Sequence, residues 1–199
     1  YQGGCSAVEH LVELGHEHIA FLSCNILGLR PIGERYRGYQ DAMLRAGLKP
    51  CEAWIIGDPD MEIHSEFALE AYSENGSPLV DEIAGLLNKN KQRATAIVAI
   101  NDNVALLTLK AAHNIGVRVP DELSIVGYDD LDIVSYLPKP LTTVAQDYYA
   151  IGKEAAKLLI ERIEGCYDGP PRVAQLPTQL RARATTSVAS RTVTQGLND

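Results

Sequence analysis

Long apolar runs are missing from this chain of 199 residues. No stretch approaches the ~20 consecutive apolar residues that a membrane-spanning helix needs, so no membrane partner is expected. Basic runs are missing too. The 18 Lys and Arg are scattered among 26 Asp and Glu, and the formal net charge is −8. A surface that holds nucleic acid by itself concentrates cations to displace counterions from phosphates. Direct DNA or RNA binding by this chain is therefore not expected. The four cysteines, at 5, 24, 51 and 166, include no CxxC pair, which argues for free thiols in a reducing cytoplasm and against a zinc site. Catalytic signatures are absent as well: there is no Gly-X-Ser-X-Gly elbow, HExxH, P-loop or GxGxxG. Thr178, Thr185, Thr186, Ser187 and Ser190 have no base pattern beside them, and His10, His16, His18 and His113 lack partners at ligand spacing and read as structural. No enzyme, metal or cofactor is expected. The opening YQGGCSAVEH has neither a basic segment nor an apolar core of a secretory leader. It also lacks an initiator Met, which suggests a piece of a longer protein.

What is present is an alternation of helical and strand patterns, the signature of an α/β fold with an open parallel sheet and helices on both faces. A helical stripe (Ala7, Val8, Leu11, Val12, Leu14) runs over 3–14 and stops at Gly15; HIAFLS at 18–23 is a short buried strand. Residues 31–46 are amphipathic up to Gly47, and 52–56 is a strand. Helical patches at about 63–73 and 78–88 are split by Asn75-Gly76-Ser77-Pro78, with Ser77 a candidate N-cap. A strand at 95–100, a helix at 103–114, a strand at 123–128 and an extended LTTVAQ follow. A long amphipathic helix at 146–164 carries Ile151, Ala155, Leu158, Leu159 and Ile163. Residues 173–176 and 179–183 read as edge strands, and 187–199 as a patternless, disordered tail.

Two strand ends carry the most information. Asn101-Asp102 closes one buried strand and opens a helix; helix capping needs one such residue, so the pair leaves a spare polar side chain for a ligand. Gly127-Tyr128-Asp129-Asp130 closes the next strand. Asp favours turns, yet Asp129 stands at the carboxyl edge, where open parallel sheets bind ligands and where a carboxylate can accept from vicinal hydroxyls. Arg35, between Gly33 and Gly38, offers a guanidinium fork for ligand oxygens.

Taken together, GGCSAVEHLVELGHEHIAFL, ERYRGYQDAMLRAGL, the stretch from Thr95 to Asp147 (TAIVAINDNVALLTLKAAHNIGVRVPDELSIVGYDDLDIVSYLPKPLTTVAQD), GKEAAKLLIERIEG and LPTQLRARATT resemble, in order over nearly residues 1–186, the effector-binding region of the LacI/GalR family of transcription regulators. The resemblance implies a periplasmic-binding-protein type 1-like fold. It implies that Arg35, Asn101, Asp102 and Asp129 contact an effector, that Tyr148 stacks on it and that Arg30 reaches the pocket. The effector is expected to be a sugar, although purines also occur in the family. A cytoplasmic homodimer is implied, with Tyr136 and Leu137 as candidate contacts.

DNA would be bound only through a helix-turn-helix that is absent from this sequence, as is most of the amino-terminal lobe. Residues 1–141 and 173–186 would then form the carboxyl-terminal lobe, with 142–172 a crossover and helix belonging to the other lobe. That helix is expected to pack against another copy or in a swapped arrangement when the lobe is missing. Pro59 stands where the family usually places an aromatic residue, and the 61–93 segment is longer than usual. The alternative function is a sugar-binding protein of a periplasmic transport system.

Overall fold

The computed structural model describes residues 1–24, 30–57, 77–90 and 94–190. Its elements run α1 (Gln2–Glu13), β1 (Ile19–Cys24), α2 (Arg30–Arg45), β2 (Trp54–Ile56), α3 (Pro78–Asn90), β3 (Ala96–Ala99), α4 (Asp102–Asn114), β4 (Ser124–Asp129), α5 (Asp132–Ser135), β5 (Thr142–Gln146), α6 (Tyr148–Ile163) and β6 (Thr178–Arg181). The expected helical patch at 63–73, the Asn75-Gly76 breaker, Pro59 and the end of the tail, 191–199, lie outside the described residues.

The strands form one sheet in the order β2-β1-β3-β4-β5-β6. β1 to β5 are parallel, and β6 pairs antiparallel with β5 at the edge. β1, β3 and most of β4 and β5 are buried throughout, as strands covered on both faces must be. The chain steps one way from β1 to β2 and the other way from β2 to β3. Right-handed crossovers therefore put α2 on one face and α3 with α4 on the other. α1 packs on α2, and α3 on α4. The reversal lies between β1 and β3, and the crevice beyond their carboxyl ends is the usual ligand position.

Three expectations change. First, residues 142–146, expected in a crossover, form β5 of this sheet, with Thr142 and Thr143 fully buried. Second, only Thr178–Arg181 forms an edge strand; residues 173–176 run beside α6 without pairing. Third, residues 187–190 are held and not frayed: Ala189 N donates to Leu14 O at 2.9 Å, Ser187 Oγ to Pro120 O at 3.0 Å and Ser190 Oγ to Asp121 O at 2.6 Å. A sequence pattern shows apolar periodicity but not side-chain-to-backbone ties of this kind. The amphipathic helix α6 has no buried residue in the single chain, and Ile163 is 74% exposed.

His16 knots the lower edge of the sheet. Its Nδ1 lies 2.9 Å from Thr95 Oγ1, and its Nε2 lies 3.0 Å from both Ser124 Oγ and Ser187 O. Burial pushes its pKa below the usual value, against the opposing bond to Ser187. The folded state thus keeps His16 neutral. Its stabilisation is complete above the unfolded pKa of 6.5 and is lost as pH falls toward the lower folded value. His16→Gln should lower stability by about 1–3 kcal/mol near neutral pH by unpairing buried hydroxyls. It should also lose less further stability than wild type on acidification to about pH 5.5. Urea unfolding at both pH values measures this; parallel losses would show that folding does not shift the His16 pKa.

Candidate functional site

Three strand ends, those of β3, β4 and β5, meet the start of α2 at the carboxyl edge of the sheet. Arg35, one turn into α2, reaches across to donate from Nη1 to Ile100 O (2.7 Å) and from Nη2 to Asp129 Oδ1 (3.3 Å). Its guanidinium carbon lies 3.8 Å from the centre of the Tyr128 ring. Gln146, at the end of β5, donates from Nε2 to the same Asp129 Oδ1 (2.7 Å) and to Tyr148 Oη (3.2 Å). Arg35, Asp129, Gln146 and Tyr148 therefore form one connected group, with the Asp129 and Arg35 side chains 19% and 15% exposed.

Burial raises the Asp129 carboxyl pKa, and Arg35, Gln146 and Tyr148 oppose the shift. The backbone beneath it is strained. Asp129 has φ 117° and Asp130 φ 59°, both in the left-handed region that side chains other than glycine seldom adopt. Asp130 turns away from Asp129 toward the edge of the sheet, where its carboxylate accepts from Arg183 (2.6 Å) and forms an ion pair with Arg181 (3.1 Å). One strained dipeptide thus serves the crevice with one residue and the edge strand with the next.

The other expected residues fall into three groups. Asn101 is the N-cap of α4, its Oδ1 accepting from Val104 N at 2.9 Å, and it stays half-buried beside Ile100. Asp102 is fully buried, with Oδ1 and Oδ2 accepting from Thr143 Oγ1 (2.6 Å) and Leu131 N (2.8 Å). It presents no surface to a ligand, because the first turn of α4 aims it inward under β4 and β5. Arg30 opens α2 and is exposed, and among the described residues no hydrogen bond or ion pair joins it to the group. Tyr136 is 81% exposed, while Leu137 packs partly against the core.

Gly38, expected to let a backbone or a ligand approach closely, takes the backbone: Tyr1 O, at the start of α1, would lie 2.2 Å from a Cβ there. Sequence reasoning missed Gln146, Tyr128 and Thr143. Gln146 carried a usable signal, since it ends a parallel strand as Asn101 and Asp129 follow or end theirs. Tyr128 and Thr143 carried none, because burial of alternate residues in a doubly covered strand leaves no pattern.

The arrangement supplies donors (Arg35, Gln146), an acceptor (Asp129) and a half-exposed aromatic ring (Tyr148), bordered by a cleft of about 730 Å³ that Asp130, Thr178 and Arg181 help to line. That set suits a small polar ligand rich in hydroxyl or amide groups. Among the described residues no three His, Cys, Asp or Glu side chains converge to hold a metal ion, and no helix is long and apolar enough to cross a membrane. All four cysteines are free, with Cys5 and Cys24 buried and Cys51 and Cys166 exposed.

Comparison with known proteins places these features in context. Residues 8–186 match the periplasmic binding protein-like domain. The HTH-type transcriptional repressor PurR of Photobacterium profundum is 37% identical over 163 residues, covering 82% of this chain and 44% of the relative. The PurR repressor of Aliivibrio fischeri is 32% identical over 94% of this chain and 51% of its own length. The chain thus spans about half the length of the curated relatives it matches. Among solved structures, a dimeric Lac repressor with an 11-residue C-terminal deletion superposes with TM-score 0.75 at 30% identity, over 95% of this chain and 62% of that one. A LacI family regulator from Enterococcus faecium with bound ribose gives TM-score 0.73 at 25% identity, over 95% and 63%.

Proposed function

The chain belongs to the periplasmic binding protein-like family, and from that premise we propose that it is the effector-binding lobe of a LacI-type transcription regulator that responds to a sugar. The observation that carries this reading is the Arg35–Asp129–Gln146 group at the carboxyl edge of the sheet, beside its switch point. Asp129 accepts from ligand hydroxyls, Arg35 and Asn101 donate to or bridge ligand oxygens, and Tyr148 covers a ring face. The similar structure that holds ribose supports a sugar. The relatives named PurR favour a second effector class, a purine base, which occurs in the family the sequence resembles.

In the intact protein the second wall of the cleft and the DNA-binding segment lie outside this chain. Effector binding then shifts the populations of two lobe arrangements, which is coupling between sites and not catalysis. A dimer using Tyr136 and Leu137 would transmit that shift between two copies. The transport alternative predicts ligand binding without operator binding.

Thermal melts of the intact protein against ribose, other aldoses, nucleosides and purine bases test the reading. A ligand at about a hundred times its Kd adds about 2.7 kcal/mol of stability. For a protein of this size that raises Tm by several degrees. No shift from any sugar or purine would overturn the effector assignment, and a shift confined to purine bases would replace the sugar.

A further inference from the structure

Asp102 is buried, charged and not in contact with the open crevice, so it needs another role. Its two oxygens are spent on two different elements. Oδ2 takes the N–H of Leu131, the first residue after the left-handed Asp129-Asp130 turn. Oδ1 takes the hydroxyl of Thr143 on β5, three residues before Gln146. Those are the two elements that carry the Asp129–Gln146 hydrogen bond. Gly127 makes the arrangement possible, since a Cβ there would stand 2.3 Å from Asp102 Oδ1.

We propose that Asp102 is a positioning residue of the effector site, a buried clasp that fastens the Asp129-Asp130 turn and strand β5 to the first turn of α4 and never touches the ligand. This deepens the effector reading and rests on it for the word effector; the clasp itself is a property of this chain. The charged groups facing it are few. Asp129 and Asp130 both repel its charge, and each is itself partnered by arginine: Asp129 by Arg35 on α2, and Asp130 by Arg181 at the end of β6 and Arg183 just beyond it. Burial pushes its carboxyl up to about 6, against the opposing bonds from Thr143 and Leu131.

A raised pKa in the closed state means that protonation favours closure. The protonated group keeps both contacts, donating from one oxygen and accepting at the other. Opening of the clasp should therefore become rarer, by about tenfold, as pH falls from 7 to 5, given a pKa of about 6 closed and 3.8 open.

Four forms of the full-length protein decide the matter: wild type, Asp102→Asn, Asp102→Ala and Thr143→Val. Amide exchange at Leu131, corrected for intrinsic rates, reads the clasp without any ligand. Wild type should gain about tenfold protection from pH 7 to 5, and Asp102→Asn, which mimics the protonated form, should be protected and flat. Asp102→Ala should lose that protection while amides of α1 and β1 keep theirs. Thr143→Val removes a bond that lowers the pKa, so its response should move to higher pH, and it serves if Asp102→Ala does not fold.

Titration with ribose and with hypoxanthine reads the consequence. Asp102→Asn should bind whichever probe wild type binds within about threefold of wild type, and Asp102→Ala at least about tenfold more weakly. Equal losses in Asp102→Asn and Asp102→Ala would make the carboxylate a direct contact and overturn the clasp. Unchanged Leu131 exchange in Asp102→Ala would overturn it as well. If wild type binds neither probe, the effector reading fails in that arm, while the exchange arm still accepts or rejects the clasp.

Discussion

Asp129→Gly in the intact protein should abolish effector binding while leaving the fold at least as stable as wild type. The two halves of that expectation come from different physics. Asp129 sits at φ 117°, a conformation that costs a residue with a Cβ about 1–3 kcal/mol and glycine little. Its carboxylate is also half-desolvated, which raises its pKa in spite of Arg35. Glycine relieves both costs.

The partners do not become orphans. Arg35 keeps Ile100 O and the Tyr128 ring, and Gln146 keeps Tyr148. Against this, a carboxylate that accepts two ligand hydrogen bonds supplies roughly 1.5–3 kcal/mol for each, so affinity should fall by at least about a hundredfold. A thermal melt and a titration with the compound that stabilises wild type check both halves. Retained affinity would remove Asp129 from the ligand contacts. A large drop in Tm would make the Arg35–Asp129 pair a structural one. Backbone strain kept at a site where glycine would be easier is the signature of a residue held for binding.

The strand-end rule singled out Asp129 and Asn101 as candidates, because a polar residue at the carboxyl end of a buried strand goes to the crevice or to a cap; Asn101 caps α4, and Asp129 joins Arg35 and Gln146. The same rule applied to Gln146 and would have found it. It could not resolve Asp102. Adjacent residues at a helix start differ by about 100° in direction, so the two side chains of the Asn101-Asp102 pair point different ways, and only one of them can turn inward to the sheet. Choosing between them needs the position of Leu131 and Thr143, which are 29 and 41 residues away. Arg35 was legible as a fork near glycine, and at Gly38 the close approach that glycine allows is that of the α1 backbone.

At the level of the fold, apolar periodicity located nearly every helix and strand, and the alternation of the two gave the parallel sheet. It failed where burial depends on long-range pairing. β5 reads as five residues of mixed polarity, TTVAQ, yet Thr142 and Thr143 are buried because polar groups of neighbouring segments satisfy them: Thr142 Oγ1 meets the Thr186 hydroxyl at 3.1 Å, and Thr143 donates to the Asp102 carboxylate. The segment 187–190 escaped for the same reason. His16 was correctly read as structural, but its three partners at Thr95, Ser124 and Ser187 come from three separate stretches of chain.

The largest stability effect should come from Gly38→Ala, and its sign is what makes it informative. Alanine in a helix interior ordinarily stabilises by up to about 1 kcal/mol over glycine. That gain is expected for Gly85→Ala in α3, where a Cβ would meet nothing within 4 Å. At Gly38 the added Cβ would stand 2.2 Å from Tyr1 O and 3.1 Å from Cys5 N. Gly4 of α1 faces α2 in the same way, 2.2 Å from Arg35 O. The two helices therefore cross backbone to backbone through a reciprocal pair of glycines, and no side chain can move aside.

α1 must lift off α2, which would loosen the contacts of Val8, Leu11, Tyr39 and Met43, all buried. Overpacking of a well-filled core costs typically 1–3 kcal/mol and more when backbone must shift, so about 3 kcal/mol or more is expected, a drop in Tm of about 10 °C. Arg35 rides on α2, one of the two helices that must part, so effector affinity should fall along with stability in Gly38→Ala, whereas in Asp129→Gly it falls alone. Melts of Gly38→Ala and Gly85→Ala side by side measure the effect. A Gly38→Ala protein as stable as Gly85→Ala would mean that α1 and α2 do not cross this closely, and the placement of Arg35 over Tyr128 would fall with it.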